Sequence, residues 1–364
     1  MIHGGLNLDL RYHQPMAQHC CLRQNLSPID PSTNFWHDKN FIPLRDKNKS
    51  EEWDPGCNNC RLLEQSGYIS FRQGMNQGLA LQDRSELSGP ARIDLMFDIS
   101  CNLACRTCGD YSSTFWQKHL KDNGFETQAI ASSVSSDRVI QIFQQLDLTN
   151  LRQVVFCGGE TLLGQAHWEV ADWLAHNVPN AKQQLTLCFQ TNGTQPINIR
   201  NHDTINKFFL VKLHVSLDGI GSRFEYLRWP ASWSQVTDNI MVMKETLPSN
   251  VMFLIEETIS IFNLAYLDEL DTWAKQNFVT NKEGDPVNHT RHMAKGIFSL
   301  DHCSQEYIDW CVQKRKHSLI PTHWSESAPN IKVMLTQISK FDHTRNQSFA
   351  RVFPEVAAFY HRFM

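Results

Sequence analysis

The chain has 364 residues, 41% of them hydrophobic and 20% charged, enough to build one large or two medium cores. A net charge of −4 gives no overall basic field for nucleic acid, and no apolar run is long enough to span a bilayer. Met1–Asp9 lacks the basic-then-apolar shape of a signal peptide, and eleven cysteines in so long a chain point to metal work in a reducing, cytoplasmic setting rather than a disulfide framework.

Residues 1–90 are rich in Asn, Asp, Pro and Cys and poor in long periodic segments. Cys20-Cys21 comes first, then Asn34–Arg45 as a short helix or turn with aromatic anchors, then Cys57-Asn-Asn-Cys60 at metal-ligand spacing. Ser88-Gly-Pro90 breaks the chain. From 91 to 280, strand-like runs near 92–99, 152–156, 185–191, 211–217 and 251–259 alternate with helical patterns near 112–122, 135–147, 166–176, 233–246 and 264–277. Pro248 closes the helix that begins near Trp233. This alternation predicts βα units on a parallel sheet, with ligands at the carboxyl ends of the strands. Residues 281–364 read as a C-terminal extension, mostly helical or irregular, and 352–363 as an amphipathic docked tail.

The chemistry-bearing motifs fall at those strand ends. Cys101-x3-Cys105-x2-Cys108 follows the first run. Three thiolates on one short loop suit one corner of an iron–sulfur cube, leaving an iron open, or three of the four ligands of a zinc ion. Cys157-Gly158-Gly159-Glu160 ends the second run, Thr191-Asn192-Gly193 the third, and Ser216-Leu217-Asp218-Gly219 the fourth, with Arg228 ten residues after the aspartate. Glycines at a strand tip allow close backbone approach.

This order of motifs resembles the radical S-adenosylmethionine (SAM) superfamily. The resemblance implies an α/β fold, an incomplete (β/α)6 TIM-like barrel. It also implies a [4Fe–4S] cluster on Cys101, Cys105 and Cys108, and SAM held by Gly158, Gly159, Glu160, Thr191, Asn192, Ser216, Asp218 and Arg228. Within that resemblance Glu160 receives the SAM amino group and Arg228 the carboxylate. Cys20 or Cys21 with Cys57, Cys60, Glu64, Gly67, Ser70 and Arg72 resembles the SPASM/twitch auxiliary module, here before the barrel rather than after it. It implies a second iron–sulfur cluster, with Cys303 or Cys311 as a candidate fourth ligand; a zinc knuckle is the alternative.

The implied activity is reductive SAM cleavage to a 5′-deoxyadenosyl radical that abstracts hydrogen. The substrate is a peptide or protein side chain, or else a nucleotide or other small molecule. The electron donor would be a flavodoxin or ferredoxin; neither membrane nor general nucleic-acid binding is expected. A zinc-binding interaction protein with a silent barrel is the rival from another class. No residue is named for the hydrogen-transfer step itself. Cys188 reads as a buried strand residue, Cys157 as a neighbour of the cofactor motif rather than a ligand, Ser113 or Asp110 as a helix cap, and His289 and His292 as ordinary loop histidines.

Overall fold

Six strands run parallel and in sequence order: β4 (Arg92–Asp98), β5 (Gln153–Gly158), β6 (Thr186–Thr191), β7 (Leu210–Ser216), β8 (Val251–Ile259) and β9 (His289–Met293). In this computed structural model the described residues are 5–11, 14–18, 20, 27–39, 41–43, 46, 52–65, 67, 69–78, 87–127, 133–278, 289–314 and 330–361.

Alternation along each strand explains the layering. In β7, Val211, Leu213 and Val215 are buried, while Lys212, His214 and Ser216 are only partly so. The buried set joins Ile93, Leu95, Phe97, Val154, Phe156, Leu187 and Phe189 in one core. That core also takes residues of α4 (Ser136–Phe143), α5 (Gln165–Asn177), α7 (Trp233–Thr246) and α8 (Leu267–Asn277). The helices therefore cover one face of the sheet, as in a barrel rather than a sheet wound on both sides. The other face carries Arg92, Asp94, Cys188, Gln190, His214 and Glu256, and becomes the polar interior of an incomplete six-unit barrel. The expected fold class holds.

Two features were not legible. First, β1 (Gly5–Asp9) lies parallel to β4, and β2 (Met16–Gln18) and β3 (Ser27–Pro28) add antiparallel beyond it, so a single nine-stranded sheet crosses the break at 88–90. Second, β9 falls in what the sequence reads as extension. Its residues, His-Thr-Arg-His-Met, carry no apolar alternation. It is held by charge: His289 Nε2 and Arg291 Nε lie 3.1 and 2.9 Å from Glu257 Oε2, and His289 Nδ1 and Arg291 Nη2 lie 3.0 and 2.5 Å from Asp271 Oδ1.

The C-terminal chain forms a second core. In it α9 (Gln305–Lys314), α10 (Ile331–Arg345) and α11 (Pro354–Tyr360) pack on Ile259–Leu267 and on the end of α6 (Gly221–Leu227). The tail is docked as expected, burying Val356, Ala357 and Tyr360.

Phe156 is fully buried, with ring centroids 5.0 Å from Phe189 and 5.4 Å from His167. Phe156→Ala is expected to cost about 3–5 kcal/mol of stability through lost burial and the cavity it leaves. Urea unfolding measures this, and a loss below about 1 kcal/mol would show that the site collapses freely.

Candidate functional site

The three cysteines sit on the loop between β4 and α3 (Thr114–Asp122), at the carboxyl end of the barrel. Every turn of that loop is tied down. Cys101 N donates to Thr114 Oγ1 at 3.1 Å and Ser113 Oγ donates to Leu103 O at 2.6 Å. Trp116 Nε1 donates to Cys105 O at 2.9 Å. Ala104 N donates to Trp229 O and Arg106 N to Leu227 O, at 2.8 and 2.7 Å. Ser113 also caps α3, accepting from Trp116 N, which is the helix-capping role read for it. From the N-terminal segment, Arg11 Nη1 donates to Tyr111 O at 2.7 Å while its Nε and Nη2 donate to Asp9.

Burial pushes the thiols up, Cys101 to about 11 and Cys105 and Cys108 to about 12. As free thiols they stay protonated, and a metal centre must displace those protons. The donor set is soft and all-sulfur, which fits an iron–sulfur cluster. Among the described residues no three His, Cys, Asp or Glu side chains are gathered closely enough to hold a single metal ion.

The glycine pair has a structural cause. Gly158 has φ +127°, and a Cβ there would lie 2.2 Å from Asp98 O. A Cβ on Gly159 would lie 2.2 Å from Ser100 O. Gly159 N donates to Asp98 O and Glu160 N to Ser100 O, at 3.0 and 2.8 Å. The close approach is thus to the stem of the cysteine loop.

Glu160 is buried, and its carboxylate is held from three sides. Leu162 N donates to Oε1 at 3.0 Å, Thr191 Oγ1 to Oε1 at 2.6 Å, and Asn192 N to Oε2 at 2.6 Å. Burial outweighs these bonds and raises its pKa above the ordinary carboxyl value. Asn192 turns its amide toward the cysteines: Nδ2 donates to Asn102 Oδ1 at 3.0 Å and lies 3.9 Å from Cys101 Sγ. Asp218 accepts from Thr258 N at 2.8 Å and lies 2.9 Å from Arg228 Nε. Arg228 stays firmly charged despite its burial, held by Asp218. The structure therefore brings Cys101, Glu160, Thr191, Asn192, Asp218 and Arg228 to one mouth. Ser216 follows on the inner face of β7, level with Glu256 of β8.

At the N-terminal set, Cys20, Cys57 and Cys60 are buried, and burial, with Cys20 nearby, pushes the Cys57 thiol up. Cys21 lies outside the described residues. Cys57 closes a short 3-10 turn capped by Asp54, and Cys60 lies in α1 (Asn58–Gln65). The residues of the auxiliary-module resemblance meet: Ser70 Oγ donates to Glu64 Oε1 at 2.5 Å, Arg72 Nε donates to the same oxygen at 2.9 Å, and Arg72 Nη2 pairs with Glu64 Oε2. Gly67 takes φ +79° in the turn between them. Cys303 and Cys311 instead pack in the C-terminal core with Tyr307 and Tyr360, whereas Cys20 packs on Phe71 and Met75 of α2 (Phe71–Gly78).

Sequence reasoning missed the polar interior of the barrel. His214 Nδ1 lies 2.6 Å from Glu256 Oε1, and Gln190 Nε2 donates to Glu256 Oε2 at 3.5 Å. Arg92 Nε donates to Asp94 Oδ1, and Gln153 Nε2 donates to Cys188 Sγ at 3.2 Å. The signal on offer was polar residues at every second position of strands that otherwise read as apolar.

No family model matches this chain, and no curated protein matches it. Among solved structures it is similar to native anSMEcpe with bound AdoMet, at 16% identity over 61% of this chain, with a TM-score of 0.40. The match spans 59% of the anSMEcpe chain. It is also similar to Streptococcus suis SuiB bound to S-adenosylmethionine, at 11% identity over 98% of this chain and 74% of SuiB, with a TM-score of 0.36. For SuiB bound to precursor peptide SuiA the values are 11%, 98%, 75% and 0.38.

Burial alone would lower the His214 pKa, but hydrogen bonding and the charge of Glu256 raise it from 6.5 to about 9. Burial would likewise raise Glu256, and His214 and His292 bring it from 4.5 down to about 2. The stabilisation from His214 is full below pH 6.5 and is lost as pH rises through about 9. That from Glu256 is full above pH 4.5 and is lost as pH falls through about 2. The cost of His214→Gln should therefore be greatest between those limits and shrink on raising the pH toward 9. Urea unfolding across that range measures it; a cost flat with pH would refute the charged pair.

Proposed function

We propose that this chain is a radical SAM enzyme. The observation that carries the reading is the convergence at one barrel mouth of three soft, half-buried thiols with the tips of β5, β6 and β7. Asn192 lies against Cys101 there, and Cys105 and Cys108 lie within the field of Arg228. Bound to Cys101, Cys105 and Cys108, a [4Fe–4S] cluster would supply one electron to the sulfonium of SAM and so the 5′-deoxyadenosyl radical that takes hydrogen from a substrate.

The rest is work for the protein's own residues. Arg228 offers a charge-assisted partner for the SAM carboxylate, held in place by Asp218. Glu160 has three of about four lone-pair directions filled by Leu162, Thr191 and Asn192, which leaves one for the SAM amino group. Gly158 and Gly159 let the β5 tip close on the loop stem, so the amino site and the cysteines keep one spacing. Thr191, Asn192, Ser216 and Asp218 line the strand ends where the ribose and methionyl part would lie. The polar side chains below them, Gln190, His214 and Glu256, supply hydrogen bonds for a substrate. A peptide or protein side chain is the substrate class favoured, because the ion-paired Glu64, Ser70 and Arg72 around Cys57 and Cys60 resemble an auxiliary-cluster module. A flavodoxin or ferredoxin is the proposed electron donor.

Replacing Cys101, Cys105 and Cys108 together by Ala should abolish 5′-deoxyadenosine formation in anaerobically reconstituted protein given dithionite and SAM. Product at the wild-type rate would refute the proposal.

The N-terminal set is proposed as a second iron–sulfur site on Cys57, Cys60 and Cys20 or Cys21. Cys57→Ala with Cys60→Ala should lower bound iron by about four atoms per chain, leave the barrel cluster in place and expose residues 1–90 to protease. Unchanged iron and unchanged cleavage would show that these thiols are not ligands.

A further inference from the structure

Behind the cysteine loop the C-terminal helix leaves a positive charge uncompensated. Arg345 is the last residue of α10 and is 6% exposed. The rings of Trp116, Trp229 and Phe341 surround its guanidinium, whose carbon lies 4.5, 5.0 and 5.0 Å from their centroids. Nε, Nη1 and Nη2 are all buried without a hydrogen-bond partner among the described residues. Trp116, against which Arg345 stacks, donates its Nε1–H to Cys105 O at 2.9 Å.

The neighbours do not neutralise this charge. Arg106, between Cys105 and Cys108, is itself a buried cation; its Nη2 donates to Asp342 Oδ1 at 2.6 Å and to Gln347 at 2.9 Å, and it stacks 3.9 Å from the Tyr226 ring centroid. Asp342 also accepts from Tyr226 Oη at 2.8 Å and Phe349 N at 2.6 Å. Of the groups around Arg345, Arg106 repels it and Asp342 attracts it, while Cys105 and Tyr226 would attract it only as anions. Burial holds Tyr226 far above its ordinary pKa, so it is neutral. His119 is kept neutral too, at about 4, by burial and by Arg345 itself. Asp342 is thus paired with Arg106, and Arg345 has no ion pair among the described residues. An unpaired buried charge is costly, and the adjacent group that turns anionic on binding metal is the cysteine set.

We propose that Arg345 is the buried counter-cation of the cluster on Cys101, Cys105 and Cys108, a positioning residue that favours the cluster's reduced, more negative state. The proposal rests on the iron–sulfur reading of those cysteines. It gives the C-terminal helix a part in one-electron uptake: a fixed positive charge in a water-poor aromatic enclosure stabilises the added electron more than it would in water. Docking of α10 would then be felt at the cluster as a change in reduction potential.

The test is a redox titration, followed by electron paramagnetic resonance, of full-length protein reconstituted with iron and sulfide. Wild type is compared with Arg345→Met, which keeps the apolar contacts, and Arg345→Lys, which keeps the charge. At fixed solution potential the reduced-to-oxidised ratio should fall about tenfold in Arg345→Met, a shift of about 59 mV for one electron, and stay within threefold in Arg345→Lys. Circular dichroism checks each fold, and Arg345→Gln replaces Arg345→Met, with the same expectation, should the latter not fold. A ratio changed less than threefold in the neutral variant, with wild-type iron content, overturns the proposal. So does an Arg345→Lys ratio as low as that of Arg345→Met, since stacking and not charge would then be at work. A folded wild type that takes up no iron overturns the cluster reading and the counter-cation together, whereas a wild-type cluster indifferent to Arg345 overturns the counter-cation alone.

Discussion

Where β4 and β5 end, their backbones lie closer than any side chain allows, and the geometry of the mouth depends on that approach. Gly158 and Gly159 press on the carbonyls of Asp98 and Ser100, and the amides of Gly159 and Glu160 donate to those same carbonyls. The contact fixes the loop stem at Ser100 relative to the carboxylate at Glu160. From there Glu160 reaches the tip of β6 through Thr191 and Asn192, and Asn192 returns to Asn102 and Cys101. A Cβ at either glycine would open the first link of this closed circuit of backbone and side chain.

Around that circuit the chain recruits parts from both ends. Arg11, two residues past the end of β1, holds Tyr111 from one side. Arg345 approaches from the other, at the end of α10 and within the ring cluster of Trp116, Trp229 and Phe341, while Arg106 stands on the loop itself and stacks on Tyr226. Arg11, Arg228 and Arg345 all act on thiols that burial otherwise holds protonated. Positive charge gathered at buried sulfur favours the thiolate form that iron requires. Burial first, and the charge of Arg345 second, keep His119 neutral, its ring 4.9 Å from Trp229.

The sequence alone carried the barrel's first five strands as βα units of a parallel sheet, because each is an apolar run followed by a helical period. It also carried the positions of the strand tips, since Gly-Gly-Glu, Thr-Asn-Gly and Ser-Leu-Asp-Gly are turn chemistry at the ends of apolar runs. It did not carry β9, whose partners Glu257 and Asp271 are distant in sequence, nor β1, which pairs across about eighty residues of intervening chain. Strand pairing through backbone amides leaves no mark on composition, and an ion-paired edge strand lacks the period-two signal of a half-buried one.

What the sequence determined by itself was local: donor types, spacing on one loop, turns, and the periods that make strands and helices. Only the tertiary structure decided which charges face those donors. Arg345 lies 237 residues beyond Cys108 in the chain, and the numbers alone give no reason to join them. Packing of α10 against the loop does, because a buried guanidinium acts on whatever group the fold places beside it, whatever their separation along the chain.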